Sequence, residues 1–99
     1  MGNIVKEKSF EFGIAIVKTC LDIQKNKKEY DISRQVKRSG TAVGALIRES
    51  EYAESKKDFI HKLHIALKEA NETDYWLHML VAGELISTKQ FKVLEDMCN

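Results

Sequence analysis

The chain has 99 residues, with 16 basic and 15 acidic side chains and a formal charge of +1, so no global electrostatic pull toward nucleic acid exists and any such role rests on local charge distribution. A domain of this size buries only about two-thirds of the surface its unfolded chain exposes, so its core is modest and association with other chains would strengthen it. No apolar run approaches the roughly 18 residues of a membrane span, and Cys20 and Cys98, far apart and in no CxxC pattern, read as small buried hydrophobes of a reduced, cytoplasmic protein.

The opening "MGNIVK" has Lys6 where a myristoylation site needs Ser or Thr, and nothing in it resembles a signal peptide. The chain contains no proline, which suits long helices because proline breaks helix interiors. The first helix is expected over about Ser9 to Asn26. Phe10, Ile14, Val17, Leu21 and Gln24 step 4, 3, 4, 3 along it, with Phe12, Ile16 and Ile23 as a second apolar line beside them. "KNKKEYD" is a polar turn that leads to Asp31, a good N-cap residue. The second helix is expected over about 32 to 53, with Ile32, Val36, Ser39, Val43, Ile47 and Ser50 facing inward.

Ser55 is the expected cap of the third helix, with Asp58 at the capping-box position. Phe59, Leu63, Ala66, Ala70, Thr73, Leu77 and Leu80 keep a heptad-like rhythm along it, and Gly83 lies near its end. Ile60, Leu67 and Val81 make this helix apolar on more than one face, whereas a monomeric bundle needs one. The surplus points to an oligomer. The fourth helix starts at Ser87 with Gln90 as its box partner, then carries Phe91, Leu94, Met97 and Cys98. It is short beside the third, so part of a groove stays uncovered unless the chain is truncated or a neighbouring subunit fills it.

Within "RSGTAVGALIRES" (38–50) the glycines Gly40 and Gly44 share one flank of the second helix. Glycine costs a helix interior about 1 kcal/mol relative to alanine, so the pair implies close packing, within the bundle or between subunits. A phosphate loop is a poor alternative, since no strand precedes the stretch and no GK[ST] follows. Arg34, Lys37, Arg38, Thr41, Ala45 and Arg48 lie within about 60° on either side of Arg34 at 3.6 residues per turn, opposite the core line. Arg34, Lys37, Arg38 and Arg48 are therefore the candidate nucleic-acid contacts, with a merely solvated face as the competing reading.

Chemistry is scarce. Asp58, His61 and His64 spread round their helix, and no second Glu-x-x-His copy completes a di-iron bundle. His78 stands alone. No nucleophile, base and acid form a set. No enzyme, metal or cofactor is expected. The Tyr75–Trp76 pair could stack a base, but Trp76 is a better candidate for an interface, with its ring half-buried and its polar tip satisfied.

"SGTAVGALIRESEYAESKKDFIHKLHIALKEANETDYWLHML" and "NIVKEKSFEFGIAIVK" closely resemble the bacterial four-helix-bundle family that includes proteins encoded in 23S rRNA intervening sequences. The resemblance implies an all-α, antiparallel up-down four-helix bundle as a single domain, assembled as a ring-like homopentamer. One branch, the accessory variability determinant of diversity-generating retroelements, is a pentamer that binds nucleic acid and a reverse transcriptase. The family commonly has Asn where this chain has Leu46, and usually extends the last helix beyond the position of Asn99. Two function classes follow: an oligomeric RNA- or DNA-binding accessory protein, and a protein-interaction scaffold with no nucleic-acid role.

Overall fold

The computed structural model describes residues 2–98. They form four helices, α1 (Gly2–Lys27), α2 (Asp31–Ser50), α3 (Lys56–Ala82) and α4 (Thr88–Cys98). Contacts between neighbours fix their directions. Lys6 meets Glu51 at 3.3 Å while Gln24 donates to the Ser33 hydroxyl at 3.0 Å, so α1 and α2 are antiparallel. Lys62 meets Glu49 at 3.5 Å and Ser39 meets Thr73 at 2.8 Å, which reverses α3 against α2. Cys98 reaches the Ala70 carbonyl and Glu95 reaches His78, which reverses α4 against α3. Each helix packs on two neighbours, and the backbones of the diagonal pairs α1/α3 and α2/α4 make no close approach among the described residues. The bundle measures 44 × 23 × 19 Å.

Local chemistry sets the helix ends. Ser87 and Gln90 form a reciprocal capping box: the Gln90 N–H donates to Ser87 Oγ at 3.0 Å and the Ser87 N–H to Gln90 Oε1 at 2.8 Å. Ser55 Oγ accepts the Asp58 N–H at 3.0 Å, and the Asp58 carboxylate accepts the Glu54 N–H at 3.3 Å. Asp31 is not the cap of α2. It lies inside the helix, and the Glu29 carboxylate takes the N–H groups of Ile32 and Ser33 at 2.8 and 2.9 Å. A carboxylate there also complements the positive end of the helix dipole. The turn that delivers Glu29 contains Lys28 in the left-handed region, at φ 56°. At the end of α3 the left-handed residue is Glu84, at φ 60°, rather than Gly83.

Phe12, Ile16, Cys20 and Ile23 of α1 meet Val36, Leu77, Leu80, Ile86 and Leu94 in the core. Of the two apolar lines expected on α1, the one through Phe12, Ile16 and Ile23 is the inward one. Phe10 is 66% and Leu21 54% exposed, whereas Ile16 is fully buried. Two apolar lines run side by side on α1, and helical period does not say which one meets the bundle; α2 decides it through the glycines described below. On α3 the heptad line does supply the interior, through Ala66, Thr73, Leu77 and Leu80. α4 reaches back along α3 only to Ala70. Beyond that level a cleft of about 550 Å³ opens between α1, α2 and the end of α4, with Phe12, Val43, Ile47 and Ala70 in its wall.

Candidate nucleic-acid and assembly surfaces

The rotation of α2 about its axis determines every candidate on it. A Cβ at Gly40 would lie 2.8 and 2.9 Å from Ile16 Cγ2 and Cγ1, and one at Gly44 would lie 3.2 Å from the Ser9 carbonyl oxygen. Both glycines therefore face α1 of the same chain, one against a core side chain and the other against backbone. Ser33, also on this side, receives Gln24. Small residues let α2 settle against α1, and that contact turns Ile16 inward and Phe10 outward.

With this rotation the four basic residues do not share one environment. Arg38 tips toward α3, where its guanidinium donates to both Glu69 carboxylate oxygens at 3.2 Å and to Glu72. Glu72 also accepts the Trp76 indole N–H at 2.9 Å. That hydrogen bond and the one from Arg38 hold the Glu72 carboxyl below its ordinary value, and the two carboxylates hold Arg38 above its own. Arg38 is thus a strut between α2 and α3, neutralised by its own chain. Arg34 is exposed, 3.8 Å from the Asp31 carboxylate and 5.9 Å above the Tyr30 ring. Lys37 and Arg48 lie on the α1 side and have no ion-pair partner among the described residues. Trp76 is half-buried, packs against the core and meets Tyr75 edge-on at 5.2 Å.

Between α1 and α2 runs an apolar groove of about 930 Å³, floored by Phe10, Ile14, Val17 and Ala45, with Lys18 and Arg48 among its lining residues. Gly13 sits in it with nothing within 4 Å of a Cβ position. A second exposed apolar set, Ile60, Leu67 and Tyr75, lies on α3. α1 and α3 are diagonal in the bundle, so the two surfaces are separate and unlike.

His78 is not alone. Asp74, one turn earlier on α3, and Glu95 of α4 bring carboxylate oxygens to its ring, with one ligand atom of each residue within 4.8 Å of the others. The sequence could not reveal this because Glu95 arrives across the α3–α4 turn. The Asp74 backbone carbonyl, foremost, raises the His78 pKa. Burial pushes the thiols of Cys20 and Cys98 up to about 11, so neither is an activated nucleophile. Among the described residues no helix is long and apolar enough to cross a membrane.

A search of curated proteins finds no match. Among solved structures, a protein of unknown function from the S23 ribosomal protein family of Bacteroides thetaiotaomicron VPI-5482 is 47% identical, over 96% of this chain and 88% of that one, with a TM-score of 0.95. At that identity and TM-score the two chains share one four-helix fold. It agrees with a match to the 23S rRNA-intervening sequence protein family across residues 2–99, and the chain belongs to that family.

Proposed function

We propose that the chain is a non-enzymatic, cytoplasmic protein that assembles into a homo-oligomeric ring, a pentamer by the resemblance noted above, and offers Arg34, Lys37 and Arg48 to RNA or DNA. The observation that carries the assembly is the pair of unlike apolar surfaces, Phe10, Ile14 and Leu21 on α1 against Ile60, Leu67 and Tyr75 on α3. Two different patches that pair between copies form a head-to-tail contact, and such contacts close into rings when the rotation allows. Symmetry then multiplies the local basic charge and creates a field that +1 per chain conceals. Arg38 drops out of the binding set because two carboxylates already hold it. By analogy with the accessory variability determinant, a reverse transcriptase is a further candidate partner.

The scaffold reading draws on that same neutralisation, which shrinks the basic patch. One experiment separates the two readings. The mass of the free assembly is measured at micromolar concentration, and binding to structured RNA and duplex DNA is titrated at two salt concentrations. Phe10→Asp is expected to reduce the mass to that of a monomer. Changing Arg34, Lys37 and Arg48 to Gln should flatten the log–log salt slope by about 0.7 to 0.9 per lost phosphate contact, while Arg38→Gln leaves it unchanged. A monomeric parent defeats the ring. A parent that assembles but binds neither nucleic acid at low salt is a scaffold.

A further inference from the structure

We propose that Asp74, His78 and Glu95 bind a divalent first-row transition metal that clips α4 to α3. Asp74 and His78 are one turn apart on α3 and so share a face. Glu95 comes to them from α4, and a ligand atom of each residue lies within 4.8 Å of the other two. His78 is held in a defined pose. Its Nδ1 lies 2.8 Å from the Asp74 carbonyl oxygen, and Phe91 meets the ring edge-on at 4.9 Å. A carbonyl only accepts, so Nδ1 carries the proton. That leaves the lone pair of neutral His78 on Nε2, which faces Glu95 Oε2 at 3.4 Å. A lone pair and a carboxylate oxygen at that separation repel, so the contact calls either for a second proton on the ring or for a metal ion held by both atoms.

Asp74 turns Oδ2 toward the ring, 3.7 Å from Nδ1, while its Oδ1 has no hydrogen-bond partner among the described residues. A carboxylate oxygen with no protein donor is open to water or to a cation. The donor set identifies the class of ion. One imidazole and two carboxylates suit zinc, manganese or iron, whereas calcium and magnesium favour all-oxygen shells. A histidine that ligates through one nitrogen and donates the other N–H to a backbone carbonyl has the usual outer-shell arrangement of metal sites. Three protein ligands leave a further position for water. Cys98 stays outside the set, since its Sγ is turned to the Ala70 carbonyl at 3.4 Å.

The test uses the whole chain, freed of metal with a chelator, titrated calorimetrically with zinc chloride, and repeated with cobalt chloride while visible absorption is recorded. One saturable site per chain in the micromolar range is expected. Affinity should fall about tenfold or more in His78→Ala and in Glu95→Gln, remain unchanged in His64→Ala, and resist competition by magnesium. At free zinc 100 times the dissociation constant, the folded-to-unfolded ratio should rise about 100-fold. Circular dichroism checks that each variant is folded; Glu95→Gln, on the short α4, remains informative where His78→Ala unfolds. No saturation by millimolar zinc overturns the proposal, as does binding that persists in both variants, which would place the metal at other histidines. A His78 titration unchanged by zinc means that a proton alone is the cation, and overturns it too.

Discussion

The two long faces of α2 are built differently. Against α1, the contact depends on what is missing: Gly40 leaves room for Ile16, and Gly44 lets the Ser9 backbone approach. Against α3, the contact depends on partners. The Thr73 hydroxyl lies 2.8 Å from both Ser39 Oγ and the Glu69 carbonyl oxygen. With the Thr73 proton on the Glu69 carbonyl, the Ser39 hydroxyl donates to Thr73; with it on Ser39, the Ser39 hydroxyl donates to the Val36 carbonyl at 3.4 Å. Outside this buried pair, Arg38 joins Glu69 and Glu72, and Lys62 joins Glu49. The α1 side therefore breaks when atoms are added, and the α3 side when atoms are taken away.

The sharpest way to test that contrast is Gly40→Leu. Ile16 is fully buried and its Cβ lies only 3.2 Å from the new Cβ, so α1 must move as a body. A loss of about 3 kcal/mol, the upper end for overpacking, is expected in thermal or denaturant melts. A neutral result would mean that α1 and α2 are farther apart than described. On the other face, Thr73→Val keeps the volume but leaves Ser39 only the long 3.4 Å hydrogen bond to the Val36 carbonyl, at a cost of about 1–2 kcal/mol. Adding Ser39→Ala to that variant should recover part of the loss, because removing both partners of a buried pair is far less costly than removing one.

A smaller effect, of opposite sign, comes from Gly13→Ala. No atom lies within 4 Å of its Cβ position, so alanine's helix preference acts unopposed and stability rises by up to about 1 kcal/mol. Gly44→Ala has the same preference but places its Cβ 3.2 Å from the Ser9 carbonyl oxygen, and is expected to gain less than Gly13→Ala or to lose. Equal gains at the two positions would dissolve the distinction between the packed and the open side of α1.

His78 gives a pH-dependent effect on the α3–α4 contact. Its folded pKa is raised, so in metal-free protein its contribution to stability is present below the unfolded value and is lost as pH rises through the folded one. Melts from about pH 6 to about pH 8, around the ordinary histidine value, should therefore fall with pH, and His78→Gln should flatten the trend. Smallest of all is Arg34→Gln. An exposed pair at 3.8 Å contributes little, so its stability should stay within about 0.5 kcal/mol of the parent.

Features settled within a few residues were legible in the sequence. The Ser55 and Ser87 caps are local hydrogen bonds between residues three apart, and the heptad line of α3 faces one interior. The glycines announced a close approach because nothing else justifies their cost in a helix. What sequence could not supply was the third dimension of each choice. Asp31 is a better cap than Glu29 by residue type, yet the turn at Lys28 delivers Glu29 instead. The apolar line through Phe10 and the one through Ile16 have the same period, and only the shape of α2 selects between them. The stripe from Arg34 to Arg48 is real on its own helix, but Glu69 and Glu72 come from another. The same distance in sequence concealed Glu95 from His78.

The two thiols make the chain a reporter of its own opening. Cys20 lies in the core line of α1 and Cys98 in the last turn of α4. With both raised to about 11 by burial, only about one thiol in ten thousand is ionised at neutral pH. Cys98 is only part-buried, so a disulfide reagent reaches it without the fold opening, whereas Cys20 is fully buried and reacts only when α1 leaves the bundle. The rate at Cys20, set against that at Cys98, measures how often the whole fold opens, without a probe being added.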